Sequence, residues 1–314
     1  MMSTADGATG RDMTSPFIFS YDGFEPDPEL LGWLADALVA GIVVFQKNVR
    51  SDDHLRAAVS SLRDSSRLSL RVMIDEEGGR VRRLPVTPVS MRSLRSYQTD
   101  PPHVVAAAYG RVAERLADLG IDTLLAPVVD VGAAESEWLH DRTYSDEPSQ
   151  VAAMARVVVP AIQNHGVAAC AKHFPGTRAV KTDPHHGIAV DPTPLSEWDR
   201  IDAAPFRAAV AAGVQMTMVG HQRMMGFDAT RPACMSPVIT AALLRERLGF
   251  QGIILTDDLS MGAVAQQYSI EDAVRASIAA GCNLILICQD RILQRRAVAF
   301  WREWASAHKE TSDR

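Results

Sequence analysis

The chain has 314 residues, 47% of them apolar and 22% charged, with a formal net charge of −6. That balance excludes a disordered chain, and the length suffices to bury a large core without disulfide or zinc staples. It also argues against a dedicated nucleic-acid binder, which carries a basic patch, and it leaves open two domains or one large α/β barrel.

Residues 1–14 are polar and lack the basic start and apolar stretch of a signal peptide, so they read as a disordered N-terminal tail. No run of about 18 apolar residues follows, so no membrane span is expected and the protein reads as soluble and cytoplasmic. From there, eight apolar, β-rich runs cover 17–21, 41–45, 70–74, 123–129, 167–172, 215–220, 252–256 and 283–288. Most are continuous rather than alternating, the pattern of strands covered on both faces.

Helix-like segments lie between them, at 27–40, 51–63, 102–119, 147–164, 198–212, 237–248, 270–280 and 291–308. Asp27-Pro28 supplies a cap and a first turn. Gly120, Gly213, Gly249 and Gly281 stand directly after the segments they end, the usual C-terminal stop. Helix, glycine, strand, repeated in this way, is the connection of a (β/α) protein. Eight such units predict a single-domain α/β protein, a (β/α)8 TIM barrel over residues 15–314. The alternative, a doubly wound open sheet, lacks its Gly-x-Gly-x-x-Gly turn after the first strand.

In a barrel of this kind, chemistry sits at the C-terminal ends of the strands. Here those ends carry Asp22, then Lys47-Asn48, then Asp75-Glu76-Glu77 followed by Arg82 and Arg83. Asp130 and Asp141-Arg142 follow the fourth run, Lys172-His173 the fifth, His221 the sixth, Asp257-Asp258 the seventh and Gln289-Asp290 the eighth. An acid ending a buried strand, as Asp75 does, is costly unless partnered. Arg82 reads as solvated, His186 as structural, and Asp258 as a cap for the helix that follows.

Residues 172–187 hold two prolines and two glycines and form a loop. Within it, Asp183 and His185 are two apart, and Pro184 biases Asp183 toward extended backbone. A carboxylate beside an imidazole orients the ring and favours its protonated form, which makes a general acid/base pair. The four cysteines, Cys170, Cys234, Cys282 and Cys288, show no zinc spacing and read as small buried hydrophobes in a reducing compartment.

Taken in order, G-I-V-V-F-Q-K-N at 41–48, I-D-E-E-G-G-R-V-R-R at 74–83, A-P-V-V-D at 126–130 and D-R-T-Y at 141–144 resemble the family 3 glycoside hydrolases. K-H-F-P-G at 172–176, D-P-H at 183–185, T-D-D-L-S-M at 256–261 and A-G-C-N-L-I-L at 280–286 continue the match, which points to the single-domain bacterial β-N-acetylhexosaminidases. The resemblance implies Asp257 as the nucleophile that forms a covalent glycosyl-enzyme, and His185 as the general acid/base held by Asp183. It implies Asp75, Arg83, Arg142, Lys172 and His173 as the residues that grip the sugar. Without it, the residues alone do not choose between Asp257 and Asp258.

The implied activity is a retaining, exo-acting β-N-acetylglucosaminidase of peptidoglycan recycling, acting on a small amino-sugar glycoside as a monomer or weak homo-oligomer. No cofactor, metal, nucleic acid or membrane partner is expected. The alternative is a glycoside phosphorylase, or a β-glycosidase for another amino-sugar conjugate in a biosynthetic pathway, because a neutral imidazole repels a phosphate acceptor less than a carboxylate does. A metal-dependent barrel hydrolase and a non-enzymatic sugar binder are weaker readings: Lys172 would repel a cation, and the chemical residues are present. Thr177, Arg178 and Pro184 depart from the family's loop, and Arg178 and Pro184 are expected to stiffen it and to shift substrate choice at its rim.

Overall fold

Eight parallel strands make one sheet in the computed structural model, which describes residues 15–85, 91–133, 139–180 and 189–312. The expected tail, 1–14, and the expected pair Asp183 and His185, with Pro184, lie outside the described residues. The strands are β1 (Phe17–Phe19), β2 (Gly41–Val44), β3 (Arg71–Ile74), β4 (Thr123–Leu124), β5 (Ala168–Phe174), β6 (Met216–Val219), β7 (Ile253–Thr256) and β8 (Ile285–Ile287). Each pairs in parallel with the next as far as β7, and β8 pairs back with β1, Phe17 opposite Ile285.

The last seam, β7 to β8, is joined at a bridge between Leu255 and Leu284. Two side chains stand in for ladder bonds there. Asn283 Oδ1 accepts from the Ile254 amide at 2.8 Å, and Thr256 Oγ1 accepts from the Leu286 amide at 3.1 Å. The ring is the predicted (β/α)8 barrel, not an open doubly wound sheet.

Alternation along the strands sorts the core into two layers. Ile18, Val43, Met73, Cys170, Met218, Leu255 and Leu286 fill the barrel interior. Their neighbours Phe17, Ile42, Val72, Ala169, Val219 and Ile254 face the outer helices. All four cysteines are free and buried. Among the described residues, no helix is long and apolar enough to cross a membrane.

Several boundaries differ from the expected ones. The run at 123–129 gives only Thr123–Leu124 as strand, because Pro127 has no amide to donate; pairing resumes at a bridge between Val128 and Lys172. The segment at 27–40 is helical over Pro28–Ala35, and Ala37 takes a left-handed turn, φ 58°. The segment at 198–212 is two helices, Leu195–Arg200 and Ala203–Ala211. Pro205 suits the first turn of the second, where amides lack intrahelical partners. Val238–Arg247 is wound as a π-helix. A parallel ribbon, Val190–Asp191 with Arg223–Met224, was not anticipated, since two-residue strands carry no readable period.

Candidate active site

The inward row of side chains continues past the strand ends into charge. Asp75 stands two residues beyond Met73, Lys172 two beyond Cys170 and Asp257 two beyond Leu255, so each takes the next inward place above a core residue. They open into a cavity of about 540 Å³ at the C-terminal mouth of the barrel, which Arg83, Arg142 and His173 also line. All six sugar-gripping and nucleophile candidates within the described residues therefore share one cavity.

Lys172 is buried, with Nζ 2.6 Å from Asp75 Oδ1 and 2.6 Å from Glu77 Oε1. Glu77 is also buried and takes Arg142 in a two-pronged contact, Nε and Nη2 each donating at 2.8 Å. Burial raises the Glu77 pKa, but Arg142 and Lys172 outweigh it and hold the carboxyl well below the usual range. Burial likewise lowers the Lys172 and Arg142 values, and the facing carboxylates reverse it, so both stay charged. Arg142 Nη2 lies 3.4 Å from His173 Nε2, and His173 Nδ1 sits 2.8 Å from Asp130 Oδ2. The same Asp130 oxygen accepts the His173 amide at 3.0 Å, which fixes both ring and backbone.

Glu77 and Asp130 were visible at the strand ends but had been given no role. In Asp75-Glu76-Glu77 the first and third acids share a face, so alternation alone marks Glu77 as inward. Glu76 points the other way, accepting the Arg83 and Leu84 amides at 2.7 and 3.1 Å; burial raises its pKa. Arg83 places its guanidinium over the Phe45 ring at 5.5 Å, with Nη2 4.0 Å from Asp75 Oδ2.

The adjacent pair Asp257-Asp258 is separated by what each carboxylate already accepts. Asp258 Oδ1 takes the Ser260 amide at 2.9 Å, the Ser260 hydroxyl at 2.7 Å and the Cys288 amide at 3.0 Å. It ties a turn to the end of β8 rather than capping the next helix, whose cap position is Met261. Asp257, half-buried, accepts the Asp258 amide at 2.8 Å and faces the cavity. Burial pushes its carboxyl up, but the His221 and His173 imidazoles, that amide and Lys172 outweigh it, so it lies below the ordinary carboxylate value. His221 is buried, its Nε2 2.9 Å from the Asp258 carbonyl and its Nδ1 3.3 Å from Cys234 Sγ.

At the root of the loop after β5, Arg178 is anchored. Nε and Nη2 donate to Asp202 at 3.1 and 3.2 Å, and Nη2 donates to Glu197 at 2.8 Å. Burial lifts the Asp202 carboxyl to about 6 in spite of Arg178.

The model of the glycosyl hydrolase family 3 N-terminal domain matches residues 15–303. A Beta-hexosaminidase from Xylella fastidiosa is 33% identical over 268 residues, which are 83% of this chain and 79% of that one. NagZ from Neisseria gonorrhoeae, solved with N-trifluoroacetyl-D-glucosamine, superposes with a TM-score of 0.83 at 26% identity, over 92% of this chain and 84% of that one. A family 3 β-N-acetylglucosaminidase from Paenibacillus superposes with a TM-score of 0.88 at 28% identity; the match covers 92% of this chain but 56% of that longer one.

Proposed function

The chain belongs to glycosyl hydrolase family 3, and on that premise we propose that it is a retaining, exo-acting β-N-acetylglucosaminidase. It releases terminal β-linked N-acetylhexosamine through a covalent intermediate on Asp257. The observation that carries the reading is the one cavity that Asp257 lines together with Lys172, Arg142 and His173. A carboxyl held below its ordinary pKa is ionised at neutral pH and ready to attack.

In the first step an Asp257 oxygen bonds to C1 of the sugar as the C1–O bond to the aglycone breaks. His185, oriented by Asp183, gives its proton to the departing oxygen. In the second step His185 takes a proton from water, the water oxygen bonds to C1, and the bond to Asp257 breaks. Two displacements return the original β configuration. Asp75, Arg83, Arg142, Lys172 and His173 grip the sugar ring. Asp75 and Glu77 hold Lys172 and Arg142 in place before substrate arrives, so little reorganisation is needed in the transition state.

The choice of amino sugar is supported by the names of the relatives and by the N-trifluoroacetyl-D-glucosamine bound to the Neisseria protein. The same reading takes residues 15–314 as the whole catalytic barrel and 1–14 as a tail, with the enzyme trimming peptidoglycan-derived glycosides in the cytoplasm. A panel of aryl β-glycosides of N-acetylglucosamine, N-acetylgalactosamine and glucose, run with and without phosphate, tests it. The expected result is fastest cleavage of the N-acetylglucosaminide with free sugar as product. A sugar 1-phosphate as product would replace the hydrolase with a phosphorylase.

A further inference from the structure

One wall of the cavity carries a polar atom that the interactions described above leave unused. Thr177 lines the cavity and is 2% exposed, yet among the described residues its Oγ1 has no hydrogen-bond partner. A buried hydroxyl left unpaired costs free energy, so such groups are rare and call for an explanation.

The turn that presents Thr177 is held from several sides. The Trp198 indole Nε1 donates to the Pro175 carbonyl at 2.7 Å, and Gln222 Nε2 donates to the Gly176 carbonyl at 2.7 Å. Both donors are buried. The Gly176 amide donates to His173 O at 2.8 Å, and the Val180 amide to Thr177 O at 3.1 Å. Gly176 itself has φ 118°, and a Cβ there would come within 3.1 Å of Asp202 Cβ, so a larger residue is resisted on both counts. This turn places Thr177 in the cavity that His173 and Gln222 also line.

We propose that the Thr177 hydroxyl contacts the bound sugar directly, as a specificity-determining residue that hydrogen-bonds a ring hydroxyl or the 2-acetamido group. The orphan hydroxyl and the pinned turn are then one device. The turn holds the donor–acceptor in place, and the sugar supplies the partner that the described residues lack. Gln222 acts through the turn and is a positioning residue. The proposal rests on the glycosidase reading above.

Thr177→Val tests it, because valine keeps the shape and removes the hydroxyl. With no partner among the described residues to lose, the variant should keep its melting temperature or gain slightly. Its kcat/KM on the aryl β-N-acetylglucosaminide should fall about tenfold, the size of one neutral hydrogen bond. Thr177→Ser should restore most of the rate, and Thr177→Ala should repeat the loss if valine perturbs folding. A loss confined to the N-acetylglucosaminide assigns the contact to the acetamido group, and an equal loss on the glucoside assigns it to a ring hydroxyl. Unchanged kcat/KM in both the valine and alanine variants, or a rate loss that tracks a fall in melting temperature, overturns the proposal. Absence of turnover in the wild-type protein on every glycoside would instead count against the glycosidase reading.

Discussion

The barrel has a cavity at each mouth, and the two are nearly equal in size, about 540 Å³ at the C-terminal end and about 510 Å³ at the other. Their linings differ in kind. The first is walled by Asp75, Glu77, Lys172, Arg142 and Asp257. The second is walled by Val210, Val214, Met216, Phe250 and Ile253, with glycines at 213, 249 and 252, and by Arg71, Gln215 and Gln251, but by no acid. The connections explain the difference. At the N-terminal mouth five of the helix-to-strand turns pass through a left-handed glycine, at 120, 166, 213, 249 and 281, with φ 76° at Gly213 and 70° at Gly249, so these turns carry little side-chain chemistry. At the other mouth the strands run on into long loops, and the inward row continues as acids and bases. Volume does not distinguish the two ends; the chemistry of the lining does.

The largest expected effect comes from removing Asp257, the cavity-facing acid of the inward row that accepts the Asp258 amide. Asp257→Ala should lower turnover of an aryl β-N-acetylglucosaminide by at least ~10³-fold while leaving the fold intact. Asp258→Ala should act on stability first, because it strips three contacts from the turn to Ser260 and Cys288. Near-normal turnover in the Asp257 variant would falsify the nucleophile assignment.

Next comes the buried network. Glu77→Gln leaves Lys172 and Arg142 short of their shared counter-charge, and breaking a buried pair costs on the order of 3 kcal/mol. A denaturant midpoint well below wild type, with a fall in kcat/KM, is expected. The sign with pH follows from the depressed carboxyl. Its stabilisation is present above the unfolded-state value of about 4.3 and is lost as pH falls through the lower folded value. The Gln variant should therefore have a flatter stability profile on the acid side, and equal slopes in the two proteins would remove Glu77 from this role.

A smaller effect is expected at the anchor of Arg178. Asp202 is raised to about 6, so its protonated form is favoured in the folded state. Its contribution is full below the unfolded value of about 3.9 and is lost as pH rises through 6. Asp202→Asn should remove that decline, which melting curves taken between pH 4 and 7 would show as converging or parallel lines. Parallel lines would mean that Arg178 keeps the acid ionised throughout.

Much of this contrast was legible in the sequence. Glycine after several of the helices, and an acid or base after each strand, already separated a turning mouth from a chemical one. The motifs also brought Asp75, Arg83, Arg142, Lys172, His173 and Asp257 together in advance. What was not legible depended on contacts between distant segments. The choice between Asp257 and Asp258 turns on Ser260 and Cys288, the latter just past the end of β8. Glu77 matters because Arg142, far along the chain, reaches it. Thr177 is an ordinary loop residue until its hydroxyl is found buried in the cavity, with no partner among the described residues.

The smallest expected effect is at the N-terminal mouth itself. Gln215 and Gln251 line that cavity and expose their side chains. Exposed substitutions away from caps, cores and charge networks usually shift stability by less than about 0.5 kcal/mol. Gln251→Ala and Gln215→Ala should therefore leave both kcat/KM and the melting temperature close to wild type. A rate loss at constant stability would break the comparison, because it would mean that the N-terminal mouth communicates with the C-terminal one. The inner core argues against such coupling: Met73, Cys170, Met216, Leu255 and Leu286 fill the space between the two cavities with close-packed side chains.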